Sequence, residues 1–474
     1  MFGRNAVRAP KVLVVALASA GLLGWRVAKA DELADLNARV EALQETIAQL
    51  KGAIAQLQGA QPPTAAVASK SVTQNGGLQP NSDAESNWPG AVVQPASGQR
   101  QLKIVYGPNI FELGGILNIS YDHSDYVAST SEHGGANRIF GGNASRLNFT
   151  FTRALANGLS VQAFIDSSLV PSSGSGSVAG REDWLAFAGP IGRFRLGRID
   201  TPVKSMGGYT DIFYATGIAD DGQINMMGGE DVALGFTRRQ QKSVRYDSPE
   251  TSALKWAVQL ALPNADGSAT VDGPAQDERK GKVVSAALTY STGPLSLGIG
   301  AEYHKSLRYT QTEGLSDWGA RWGAKYVFPA GDIGIGGNVF NYEAENGTSV
   351  IRPFGNITAN IYAGPGKIVL RYGHAFEVRG SAPDGTVICG KANAVANFTN
   401  CGGGLQLTKG ARSGASQYTM GYDYPLDKQT ALYGYYTTIR NGERANYNFG
   451  TNPYSELKPG QSLQGVSMGG IYMF

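Results

Sequence analysis

Cysteine and histidine are scarce in this chain, with two of the first and four of the second in 474 residues. That is too few for a disulfide-built scaffold or a metal-rich protein, and no cofactor is expected. Long apolar runs are missing as well. No stretch reaches the roughly 18 residues a membrane-crossing helix needs, so a bundle of such helices is not expected. Charge is sparse: Asp, Glu, Lys and Arg make up 17%, against a usual share of about 25%. The histidines (His123, His133, His304 and His374) are scattered. No G-x-S-x-G elbow or zinc motif appears, and the Gly-Ser-Gly-Ser at 174–177 lacks the Lys and helix of a phosphate loop. A nucleophile needs a neighbouring base, so catalysis is not expected. Glycine and tyrosine are abundant, at 64 and 22. Mean hydropathy is −0.20, the value of an average soluble protein. A barrel in lipid can show the same value, because only alternate residues of each strand meet hydrocarbon.

Residues 1–30 read as a secretory signal peptide, the alternative being an N-terminal membrane anchor. They carry Arg4, Arg8, Lys11, Arg26 and Lys29 with no acid, an apolar run too short to span, and Ala28-Lys29-Ala30 as a cleavage site. Removing those five charges takes the formal +3 to −2, which leaves no basic tail for nucleic acid. Residues 31–58 space Leu33, Leu36, Val40, Leu43, Ile47, Leu50, Ile54 and Leu57 by alternating threes and fours, the pattern of a coiled coil. The β-branched residues favour a dimer; Arg39-Val40-x-x-Leu43-Gln44 is close to a trimer pattern, with Gln for Glu. Residues 59–102 are rich in Gln, Pro, Ala, Ser and Gly and read as a flexible linker.

From residue 103 to 474 the texture is that of short two-faced strands. Leu147, Phe149 and Phe151 alternate with Arg146, Asn148, Thr150 and Thr152. Leu254, Trp256, Val258 and Leu260 do the same against Lys255, Ala257 and Gln259. The segments between strands alternate too. Seven tight turns, among them Ala156-Asn157-Gly158, separate eight long loops. Fifteen connections imply sixteen strands. Short turns at one rim and long loops at the other suit a transmembrane barrel with an aqueous lumen. A soluble sandwich is the alternative; a propeller would show a blade repeat, and none is present. The final strand alternates Val466, Met468, Gly470, Tyr472 and Phe474, placing aromatics at an interface.

Taken together these stretches resemble the general porins of Gram-negative outer membranes. Ser145 to Asp166 resembles that family's Ser-Arg strand, turn and return strand. The run from Arg181 to Arg198 resembles its Arg-led hairpin before the third loop, and Tyr209 to Ile218 resembles part of that loop. The resemblance covers roughly 110–474. It implies an all-β, 16-stranded antiparallel transmembrane barrel whose third loop folds inward, here preceded by an α-helical coiled coil that such porins mostly lack. It also implies a homotrimer in a lipid bilayer with lipopolysaccharide, and passive diffusion of ions and small hydrophilic solutes. On the motif match, Arg146, Arg181 and Arg239 form a basic wall at the constriction. Asp211, Asp220, Asp221, Glu230 and Asp231 supply the acids of the facing loop, and only Asp211 lies within a matched motif. Arg193, Arg195, Arg245, Arg321 and Arg371 are further candidates, as lining or as rim charges in water. Weak anion selectivity is expected; a channel specific for phosphate or an organic acid is the other reading. Tyr472 and Phe474 resemble the signal read by the barrel-assembly machinery. Residues 31–102 open a further role in tethering the cell wall, since 28 helical residues rise about 42 Å. Cys389 and Cys401 share one long loop, as a disulfide worth about 3 kcal/mol in an oxidising compartment or as free thiols. A metal pair lacks ligands, His374 being the nearest histidine.

Overall fold

The computed structural model describes residues 102–127, 137–210, 217–226, 234–261, 282–307, 315–389, 405–454 and 457–474. The signal-peptide and coiled-coil segments and the linker up to residue 101 lie outside the described residues, as do Asp211, Glu230, Asp231 and Cys401.

Sixteen antiparallel strands form the wall. They are β1 Asn109–Val127, β2 Arg146–Ala154, β3 Ser160–Val170, β4 Asp183–Gly189 and β5 Gly192–Asp200. Next come β6 Arg239–Asp247, β7 Leu254–Ala261, β8 Lys282–Thr292, β9 Leu295–Lys305, β10 Ser316–Phe328 and β11 Gly331–Glu343. The last five are β12 Ser349–Ala363, β13 Gly366–Ala375, β14 Ala415–Pro425, β15 Thr430–Asn441 and β16 Ser462–Met473. Each pairs with its neighbours in sequence, and β16 pairs back onto β1 from Ile116↔Met473 to Val127↔Ser462. That pairing closes the barrel. Closure matters in lipid, where an unpaired N–H or C=O has no water to turn to. At the seam, Gly115 and Phe474 exchange backbone hydrogen bonds of 2.8 and 3.1 Å. Below it β16 has ended, and Leu102–Tyr106 pairs with residues 109–113 of β1 instead. The free edge is thereby covered.

Side-chain parity is that of an inside-out protein. Arg146, Asn148 and Thr150 of β2 are buried inward. Trp256, Val258 and Leu260 of β7, and Ile299 of β9, are large apolar side chains left exposed, facing outward. Aromatic rings collect toward the tight-turn rim. Phe194, Tyr246 and Trp256 form a continuous row of tilted rings there, with centroids 4.8 and 4.9 Å apart.

Seven tight turns join β2 to β3, β4 to β5 and so on round the rim, as the turn chemistry predicts. One outer connection departs from expectation. Residues 344–348, between β11 and β12, form a tight link and not a long loop. The reason is Asn346-Gly347, with φ of 58° and 70°. Asn157-Gly158 does the same at the opposite rim, with φ of 60° and 72°. Asn-Gly accepts two successive left-handed residues, which lets each five-residue link close on itself, Leu155 N–H to the Leu159 carbonyl and Ala344 N–H to the Thr348 carbonyl.

The described parts of the third outer loop, residues 201–210, 217–226 and 234–238, lie against the inner wall of the barrel. Helix α1, Pro202–Thr210, lies against β8, β9 and β10. The Val203 N–H donates to Ser285 Oγ at 3.3 Å, and Arg321 Nη1 donates to the Val203 carbonyl at 3.3 Å. The turn Gly217–Ala219 reaches β15, β16 and β1. Gly217 has φ +54°, and a Cβ there would sit 2.5 Å from Ser467 Oγ. Helix α2, Gly222–Met226, then lies against β11, β12 and β13. Its underside is an apolar core inside the lumen: Ile224, Met226 and Phe236 pack on Phe340 and Phe354. Phe236 and Phe340 stack at 4.3 Å.

Candidate functional site

Strands β2 to β6 carry a row of charge at one height of the inner wall. Arg146 stands opposite Ser168. Two strands on, the Arg181 backbone N–H donates to the Asp166 carbonyl at 3.1 Å, and Arg181 Nε donates to the Asp166 carboxylate at 2.8 Å. Asp200 ends β5 opposite Arg239, the first residue of β6. Its carboxylate takes Arg239 Nε and Lys204 Nζ, each at 2.8 Å. The structure therefore brings Arg181 and Arg239 into one cluster around Asp166 and Asp200, with Arg146 in the same row. Asp200 reaches it through a register shift between Gly197 and Ile199; such a bulge re-aims the residues after it. Gly197 makes the shift with φ +144°, and a Cβ there would lie 2.2 Å from the Asp183 carbonyl.

Beside this cluster, Glu182 is buried, and Glu182 Oε1 accepts the Asp200 backbone N–H at 2.8 Å. Burial raises its carboxyl above the usual range and the Asp200 charge adds to this, while Arg195 and Arg239 pull it back. Burial lowers Lys204, and the nearby Arg239 lowers it further; Asp200 opposes both.

A second group lies nearer the tight-turn rim. Arg195 is fully buried and donates twice to Asp247, at 2.9 and 2.9 Å. Arg245 donates to the same carboxylate at 2.8 Å. Arg193 comes only within 3.7 Å of it. Both Arg193 and Arg195 lie over the Trp184 indole, 5.7 and 5.3 Å from its centroid. Two of the five further arginines thus share one carboxylate, and a third stands beside it without a hydrogen bond.

The remaining two meet the third loop. Arg321 holds the Val203 carbonyl, and Arg371 forms an ion pair with Asp221. Asp220 sits close by. It accepts the Gly222 N–H at 2.9 Å and the Thr451 hydroxyl at 2.7 Å, tying the third loop to the last one. Of the loop acids that are described, one is neutralised by a wall arginine and the other is an interloop brace.

A family model described as Gram-negative porin matches residues 91–444. The chain belongs to the Gram-negative porins. It is 24% identical over 363 residues to outer membrane porin protein 32 of Delftia acidovorans, covering 74% of this chain and 90% of the relative. Among solved structures it resembles an anion-selective porin from Comamonas acidovorans, with a TM-score of 0.59 and 20% identity over 77% of this chain and all of that one. It also resembles OmpT of Vibrio cholerae, with a TM-score of 0.53 and 12% identity over 79% of this chain and all of that one.

Several residues of this porin's inner wall were not singled out by sequence. Arg352 is fully buried and lies over Phe340, Phe354 and Tyr447. It donates to the Asn225 carbonyl at 2.8 Å and so pins α2. Its strand reads Val350, Arg352, Phe354 on one parity and Ile351, Pro353 on the other. Both faces look apolar, because the inward one packs on the loop; only the unpaired charge in an apolar row was a signal. At the seam, Tyr472 and Phe474 stack at 5.5 Å. Cys389 ends the short strand Val387–Cys389.

Proposed function

We propose that this porin is a water-filled passive channel with a weak preference for anions, the constriction lying between the Arg146–Arg181–Arg239 wall and the inward third loop. The observation that carries this reading is the charge of the wall. Arg146, Arg181, Arg193, Arg195, Arg239, Arg245 and Lys204 stand against Asp166, Glu182, Asp200 and Asp247. The basic groups outnumber the carboxylates, and the loop's Asp221 is compensated by Arg371. A low-dielectric wall focuses such a field into the lumen. The solved porin from Comamonas acidovorans is anion-selective, which supports the same sign here.

The expected assembly is a homotrimer in the outer membrane, inserted by the barrel-assembly machinery, which would read Tyr472 and Phe474. One solved OmpT of Vibrio cholerae is a trimer form. Residues 31–58 would add a periplasmic coiled coil and residues 59–102 a linker, giving reach toward the cell wall. Cys389 and Cys401 would close the seventh outer loop as a disulfide. The test of selectivity is Arg239→Glu in a planar bilayer under asymmetric KCl. The reversal potential should move toward the cation side; an unmoved potential would take Arg239 out of the constriction.

A further inference from the structure

Where β4, β5 and β6 meet on the inner wall, the hydrogen bonding is one-sided. Trp184 Nε1, Arg193 Nε and Arg193 Nη1 are buried and have no hydrogen-bond partner. All three are donors, and neither side chain offers an acceptor. Burying such donors unpaired is costly, the more so when one bears a charge. The nearest carboxylate cannot serve them. Both oxygens of Asp247 are already taken by Arg195 and Arg245, and at 3.7 Å Arg193 is beyond hydrogen-bond length. Glu250 is 3.9 Å away and half-exposed, where water screens it.

We infer that this corner is a binding station for a small oxyanion, held by Arg193 and the Trp184 indole N–H. Several features fit that class of ligand. Three unpaired donor nitrogens on two side chains call for a ligand with several acceptor oxygens. The indole also holds the guanidinium groups of Arg193 and Arg195 against its face, which limits their freedom before a ligand arrives. The residues of β4 opposite Arg195 and Arg193 are Ala186 and Ala188, the smallest side chains that keep a strand. On β4 the adjoining wall therefore brings no acceptor of its own; Asp247 stands opposite Arg193 on β6 with both oxygens engaged, and Gln162 of β3 stands opposite Ala186. The station lies on the tight-turn side of the Arg181–Arg239 cluster, so an anion passing that cluster meets it next. The inference rests on the channel reading and specifies its solute class.

The experiment records chloride current through wild-type channels in bilayers while sulfate is added at constant ionic strength. Sulfate should depress the current along a saturating curve. Arg193→Gln should raise the half-inhibiting concentration about tenfold, the loss expected for a charge-assisted hydrogen bond. Trp184→Phe keeps the ring and removes only the N–H, and should raise it several-fold. A current that falls only in proportion to the chloride replaced overturns the inference, and so does one titration curve shared by wild type and both variants. Arg239→Glu separates the two proposals: it should shift the reversal potential and leave the sulfate midpoint in place. If the potential stays put while the saturating block persists, the constriction assignment fails and the oxyanion station stands.

Discussion

At the scale of single residues, the seam and the buried wall carboxylate are the sharpest tests. A Cβ on Gly115 would come within 2.7 Å of both the Arg146 carbonyl and the Phe474 ring. Backbone and a packed ring cannot both retreat, so Gly115→Ala should cost about 1–3 kcal/mol, the range for overpacking. The measurement is the urea midpoint of the heat-modifiable band on gels. Glu182 supplies a pH signature. Its carboxyl titrates above the ordinary range because burial disfavours the anion. Acidification from neutral pH therefore neutralises Glu182 before the exposed carboxylates, and the wall becomes more positive. Anion preference, read from the reversal potential, should rise at the first acidic steps, and Glu182→Gln should remove that early rise. The sign for stability is the same. The folded barrel holds this proton more tightly than the unfolded chain, so the residue favours folding more as pH falls through its raised value.

At the scale of elements, the strands were legible and the loop was not. Alternation in β2, β7 and β10 marks lumen and lipid faces because each parity meets a different solvent, and the tight turns are marked by Pro, Gly and Asn. The rule failed where a third environment intervenes. In β11 and β12 the inward positions Phe340, Tyr342, Val350 and Phe354 are apolar, since they pack on the returning loop. Asp200 joins the basic row only through the bulge after Gly197, which alternation cannot foresee. Asn346-Gly347 carried the same signal as Asn157-Gly158, yet the long-loop rim hid it. Arg146, Arg181 and Arg239 came from family resemblance, and only Arg146 was also supported by parity. Two element-level outcomes follow. Ile299 faces outward at mid-strand in β9, so Ile299→Arg should destabilise the barrel by about 2–4 kcal/mol in lipid refolding. Phe236 anchors the third loop from inside, and Phe236→Ala should loosen it. Single channels of that variant should then show larger open conductance and more current noise, with the reversal potential little changed.

At the scale of the whole molecule, one physical asymmetry organises the rest: hydrocarbon outside, electrolyte inside, and a closed ladder of backbone bonds between them. The barrel needs nothing from residues 31–101 to close, since Leu102–Tyr106 already covers the exposed edge of β1. Deleting 31–101 should leave unit conductance unaltered while changing co-sedimentation with cell-wall material. Unchanged co-sedimentation would remove the tethering role and leave the channel untouched. The most direct test of the central claim is the reversal potential of purified wild-type protein reconstituted in a planar bilayer under a tenfold KCl gradient. Stepwise insertion of open channels, with a reversal potential on the chloride side of zero that shrinks as salt rises, is the result this account predicts. A bilayer that stays closed, or open channels reversing on the potassium side, would contradict it.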